Sequence, residues 1–166
     1  MGCGKSSVGR RLSELLCCPF IDLDDVIELQ TGRTIPEIFA NDGEAAFRQM
    51  ELEVLERILK PPTAIVSLGG GTVTQERCAE MVKENTVCIY LRASVDTLVS
   101  RLSNQDAGRP LLKGSDLRTR IDKLMEQRSA IYESTAHHIL DTDGLSIDEV
   151  AQSITEIFDS KFSTKR

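Results

Sequence analysis

Residues 2–12, GCGKSSVGRRL, read as the end of a phosphate-binding loop running into a helix. The full pattern, G-x-x-x-x-G-K-[ST], would put its first glycine two positions ahead of Met1, so Gly4, Lys5 and Ser6 supply only its second half. What is present is chemically coherent. Gly2 and Gly4 let the backbone turn its N–H groups onto an anion, Lys5 brings a point charge to the outer phosphate oxygens, and Ser6 offers a hydroxyl to Mg2+. The helix behind them directs its positive end at the same place. The rival reading is a glycine-containing terminus in front of an ordinary helix.

Outward from that loop the hydrophobic period switches repeatedly between helix and strand. Val8, Leu12, Leu15 and Leu16 fall on one helical face. Residues 19–24, PFIDLD, read as a short strand and 25–32 as a helix stopped by Gly32. Thr34 and Glu37 have capping-box spacing, with Pro36 in the first turn. A longer helix follows Gly43, with Phe47, Met50, Val54, Leu55 and Ile58 as its buried stripe. Strands are expected within 63–71, 86–92 and 137–142, and helices at 76–84, 94–103, 117–132 and 146–158. Residues 104–115 have turn chemistry and read as a loop. This alternation argues for one α/β domain over 1–166, a mainly parallel sheet covered on both faces. In such folds a phosphate loop joins a strand to its helix, and here the helix comes without that strand.

Composition narrows the partners. A chain of 166 residues, 40% hydrophobic, can bury a core without disulfides or a structural metal. Its net charge of −6 opposes nucleic acid and anionic membranes unless a basic patch intervenes. The basic KFSTKR at 161–166 is too short for that and reads as a solvated tail. Cys3, Cys17, Cys18, Cys78 and Cys88 show no metal-ligand spacing and read as reduced thiols. Without a signal peptide or an apolar run of roughly 20 residues, a cytoplasmic location is expected.

Two acids and three glycines complete the pattern. Asp22 and Asp24 lie two apart at the end of a predicted strand, so both emerge on one side of the sheet. One carboxylate can hold Mg2+ through water and the other can take the proton of an attacking alcohol. Acids decorating a strand end or a helix start would need no such chemistry. Gly69, Gly70 and Gly71 follow an apolar strand, where the backbone must either adopt positive φ or admit a close neighbour. His137 and His138 read as structural or surface residues, with nothing nearby to complete a triad or a metal set.

The order and spacing of GCGKSSVGRRLSELL, PFIDLDDVIELQTGRTIPEIFANDGEAAFRQME, SLGGGTV, RPLL and R-x-x-x-Y, from residue 1 to about 133, resemble the shikimate kinase family. The resemblance implies ATP-dependent phosphorylation of the 3-hydroxyl of shikimate, a step toward chorismate and the aromatic amino acids. It implies a three-layer α/β/α P-loop kinase fold, five-stranded in the family with the first strand missing here, and a lid at about 104–115. Gly2, Cys3, Gly4, Lys5, Ser6 and Ser7 then form the ATP phosphate loop, and Ser6 and Asp22 the Mg2+ site. Asp24 binds the substrate hydroxyls and acts as general base. Arg48, Gly69, Gly70, Gly71 and Arg128 bind shikimate. Arg109 is the lid arginine that reaches the ATP phosphates, and Arg101 lies on the adenine side. Lys5, Asp24 and Arg109 carry the catalysis. Planar guanidinium forks suit the substrate carboxylate. ATP as co-substrate, Mg2+ and a monomer without nucleic-acid or membrane partners complete what is implied.

The sequence departs from the family in two places. The family carries a buried strand and the first loop glycine ahead of Met1, and an unpaired backbone group in a core costs roughly 1–3 kcal/mol. A start roughly ten residues earlier is therefore expected. The turn DTDGLSID (141–148) also lacks the arginine with which some members cup adenine. The rivals are another small P-loop kinase, acting on gluconate or a nucleoside monophosphate, and a non-catalytic nucleotide-binding module.

Overall fold

In the computed structural model, residues 2–60, 63–105 and 114–162 are described. Helix α1 (Lys5–Leu16) starts directly behind Gly4, whose φ of 86° lies in the left-handed region that glycine enters without a Cβ clash. The chain then runs through β1 (Phe20–Asp22), α2 (Leu23–Thr31), α3 (Ile35–Ile58) and β2 (Ile65–Ser67). A 3-10 turn (Thr72–Thr74) leads to α4 (Glu76–Asn85) and β3 (Ile89–Arg92). α5 (Val95–Gln105), α6 (Gly114–Thr135), β4 (His138–Asp141) and α7 (Ile147–Phe162) complete the order.

β1 pairs in parallel with β2, and β3 with β4. Among the described residues these are two separate ladders. One apolar cluster spans them, with Ile65 of β2 and Ile89 and Leu91 of β3 packed beside Val8 and Leu12 of α1 and Val150 and Ile154 of α7. A second cluster joins α2, α3 and α4 through Leu23, Ile27, Ile38, Phe47, Val54, Leu55 and Val82. The stripe expected on α3 is therefore the packed one. In the first pair, the parallel register sets Asp22 beside Ser67 at the C-terminal strand ends, the side on which ligands bind in α/β sheets.

Local signals near helix ends are realised. Gly32 terminates α2 at φ 64°. Glu37 accepts the Thr34 N–H at 2.8 Å and its hydroxyl at 2.7 Å, and these bonds hold the Glu37 carboxyl below the usual range. α3 runs through the expected break, kinked at Gly43 (φ 81°, ψ 172°).

Four expectations need correction. The strand over 19–24 ends at Asp22, and Asp24 sits in the first turn of α2. Asp22 caps that helix by accepting the Asp24 N–H at 3.1 Å, and satisfying this orphan donor lets helix displace strand. Leu15 and Leu16 stay 40% and 38% exposed because the last turn of α1 reaches beyond the cluster. Both ends of the loop expected over 104–115 are helical, since α5 extends to Gln105 and α6 begins at Gly114. Arg109 lies outside the described residues. α7 continues through Lys161 and Phe162, where a tail was expected, and 163–166 also lie outside the described residues. Among the described residues no helix is long and apolar enough to cross a membrane.

Candidate active site

Three oxygens meet where α1 begins. Ser6 Oγ donates to Asp22 Oδ2 at 2.6 Å and lies 3.4 Å from Ser67 Oγ, whose residue is 6% exposed. This hard-oxygen set, one carboxylate and two hydroxyls, suits Mg2+, which is usually held by few protein ligands together with substrate phosphates. Sequence reading missed Ser67. Its signal is a serine at a strand end, and only the β1–β2 register gives it meaning.

Asp24 enters a cavity of about 350 Å³ whose lining includes Cys3, Lys5, Gly70, Gly71 and Arg128. Leu98, Ile121, Leu124 and Met125 form its apolar side. Burial, then the neighbouring charges of Asp22 and Glu51, push the Asp24 carboxyl up to about 6, against the pull of Lys5. A carboxyl poised there is matched to taking a proton near neutral pH. Lys5 Nζ lies 3.8 Å from Cys3 Sγ, while Ser7 is exposed in the first turn of α1. A second hollow of about 360 Å³, lined by Pro19, Ile21, Val26, Ile58 and others, contains none of these groups.

Behind the glycine turn lies Glu51, which is 0% exposed; neither it nor Arg48 lines the cavity itself. Its carboxylate accepts Arg48 Nη1 at 2.5 Å, Thr72 Oγ1 at 2.6 Å and Gln75 Nε2 at 3.4 Å. Glu44 takes Arg48 Nη2 at 2.9 Å. The Arg48 fork lies over the glycine turn: a Cβ on Gly71 would come 2.4 Å from both terminal nitrogens. A Cβ on Gly69 would stand 2.9 Å from Asp24 Oδ1 and Glu51 Oε1. None of the three glycines has positive φ. Close approach explains Gly69 and Gly71, and the neighbours approaching are charged side chains of the protein itself. Glu51, at the end of the F-R-x-x-E stretch, received no role from sequence reading. Its position on the buried stripe of α3 was the available signal.

Arg128 Nη1 donates to the Gly70 carbonyl at 3.2 Å, as does the hydroxyl of Tyr132, the tyrosine of the R-x-x-x-Y motif, to which sequence reading gave no role. Arg101 sits elsewhere, bridging the Cys3 carbonyl (3.4 Å) and the Thr142 carbonyl (3.0 Å), and so ties the phosphate loop to the turn after β4. His137 is structural as expected, its Nδ1 accepting the Cys88 N–H at 3.0 Å.

A glycine loop at a helix start, one acid at a strand end with a second in the helix that follows, and Lys5 and Arg128 on one cavity fit a P-loop kinase, a phosphotransferase with an alcohol acceptor. The shikimate kinase family model matches residues 1–159. A shikimate kinase of Rhodococcus jostii (strain RHA1) is 42% identical over 153 residues, covering 92% of this chain and 90% of the relative. The solved shikimate kinase from Acinetobacter baumannii in complex with shikimate aligns with a TM-score of 0.88 at 35% identity, covering 97% of this chain and 89% of that one. The enzyme from Bacteroides thetaiotaomicron aligns with a TM-score of 0.88 at 28% identity, covering 96% and 94%. The chain belongs to the shikimate kinase family, whose reaction is the ATP-dependent phosphorylation of shikimate.

Proposed function

We propose that the γ-phosphoryl of ATP passes to the 3-hydroxyl of shikimate within the cavity shared by Lys5, Asp24, the glycine turn and Arg128. The observation that carries this reading is the convergence of those groups, distant in sequence, on one space of about 350 Å³. Lys5 and the loop N–H groups bind the phosphates, and Arg48 and Arg128 hold the substrate carboxylate. The hydroxyl oxygen forms the new bond to phosphorus, the bond to the β-phosphate oxygen breaks with its electron pair leaving on ADP, and Asp24 receives the hydroxyl proton. Ser6, Asp22 and Ser67 would hold Mg2+, which when bound neutralises charge on the phosphates. Arg101 serves the adenine side, and Arg109 the ATP phosphates. The chain works as one domain and as a cytoplasmic monomer. Its net charge of −6 supports the lack of nucleic-acid and membrane partners.

A panel of shikimate, gluconate and nucleoside monophosphates, followed by ADP release, tests the reading. Shikimate-dependent release is expected, with phosphorus NMR placing the new ester at the 3-position. Turnover of gluconate or a nucleotide with shikimate inert would overturn it.

Two variants separate the halves of the cavity. Lys5→Met removes the charge on the phosphates and should raise the ATP KM about tenfold and lower kcat about a hundredfold or more. Steady-state kinetics with an unchanged ATP KM would take Lys5 out of that role. Gly71→Ala puts a methyl into the Arg48 fork, so the shikimate KM should rise about tenfold or more while the ATP KM stays within about twofold. Equal changes in both constants would mean general disruption instead.

A further inference from the structure

Two donors from one face of α6 meet at a single acceptor. The Gly70 carbonyl takes Arg128 Nη1 at 3.2 Å and the Tyr132 hydroxyl at 2.5 Å. The two residues are four apart, so their side chains leave the same helix face one turn from each other. A carbonyl oxygen has two lone pairs, and both are engaged. The carbonyl is therefore held in one direction, and across the planar trans peptide the Gly71 N–H is held in the opposite one. The Tyr132 ring is itself confined, lying against Tyr90 of β3 with centroids 5.2 Å apart and planes at 50°. It also packs against the cluster that carries Phe47 and Val54 of α3. Among the described residues, the Gly70 carbonyl is the one hydrogen-bond acceptor that Arg128 has.

We infer that Tyr132 is a positioning residue for acceptor recognition. Its hydroxyl fixes the Gly70 carbonyl, and that carbonyl seats Arg128 so that the remaining guanidinium N–H groups face the cavity and the substrate carboxylate. Glycines have no side chains to resist rotation of the turn, so the restraint has to come from outside it, and here it comes from the phenol. The inference rests on Arg128 as a carboxylate ligand. Loss of the hydroxyl reduces preorganisation for the acidic substrate while leaving the ATP side alone.

The test is Tyr132→Phe, which keeps the ring and its packing on Tyr90. Its shikimate KM should rise about five- to tenfold, kcat should change less, and the ATP KM and the melting midpoint should stay at wild-type values. Arg128→Ala alone should raise the shikimate KM at least about tenfold. In that background Tyr132→Phe should add less than about twofold, because no guanidinium is left to seat. An unchanged shikimate KM in Tyr132→Phe, an ATP KM rising in step with it, or the full effect persisting without Arg128 would each overturn the inference. An unaffected Arg128→Ala enzyme would remove the carboxylate reading itself, and the inference with it.

Discussion

Asp24→Asn should lower kcat by about 10²- to 10⁴-fold while leaving ATP affinity close to wild type, because the amide keeps the shape of the carboxylate but cannot accept the hydroxyl proton. The same change should stabilise the metal-free protein. The folded carboxyl, at about 6, holds its proton more tightly than a free aspartate at 3.8, so protonation favours the fold. The stability linked to this group is complete below about pH 4 and lost as the pH rises through 6. Asparagine never ionises and avoids the loss. Part of the carboxyl still contacts water, which screens the effect to about 1 kcal/mol, or a few degrees in melting temperature. Melting curves in metal-free buffer at pH 4 and 7.5 check this: the variant should gain at 7.5 and not at 4. Full turnover would remove Asp24 as the base, and an equal gain at both pH values would remove the linkage.

Glu51→Ala should cost about 3–5 kcal/mol in urea unfolding, a large share of what usually holds a domain together. Three groups lose a partner at once, the Gln75 amide among them. Arg48, whose side chain is 19% exposed, keeps only its bond to surface Glu44, and the buried Thr72 hydroxyl loses its acceptor. Glu51→Gln can still accept from Thr72 but leaves the Arg48 charge paired only with surface Glu44, so it should fold and show a raised shikimate KM with a near-normal ATP KM. An alanine variant within about 1 kcal/mol of wild type would show that Arg48 and Thr72 find other partners, and that Glu51 does not organise the groups around the glycine turn.

This pairing of a stabilising and a destabilising acid follows from one physical contrast. Glu51 is buried with a guanidinium, a hydroxyl and an amide donating to it. Asp24 is partly buried beside other carboxylates, with Lys5 opposing them. Burial costs a compensated charge little and raises the proton affinity of an uncompensated one. The chemistry therefore falls to the acid that the fold accommodates poorly as an anion.

Much of the site could be read along the chain, and the reason is range. The glycines and lysine ahead of α1, the Thr34–Glu37 box, the stop at Gly32 and the packed stripe of α3 depend on residues within about a turn of each other, where spacing dictates geometry. The same locality exposed Lys5 and Ser6 as candidates, while Arg48 came from the family resemblance. It misplaced Asp24, because strand alternation and a capped helix start both fit FIDLDD. The cap prevailed once Asp22 could satisfy the Asp24 N–H.

Local spacing could not disclose Ser67, Glu51, Thr72 or Tyr132 as partners in the site. Ser67 matters because parallel pairing sets it against Asp22, and Tyr132 because α6 lies against the glycine turn. Glu51 and Thr72 meet because α3 packs beside that turn, which only glycine leaves open enough for their charges and hydroxyls to come together. Amino-acid order specified which groups could do the chemistry. Which of them touch was decided by strand register and helix packing, since close-packed layers bring together side chains that no periodicity relates.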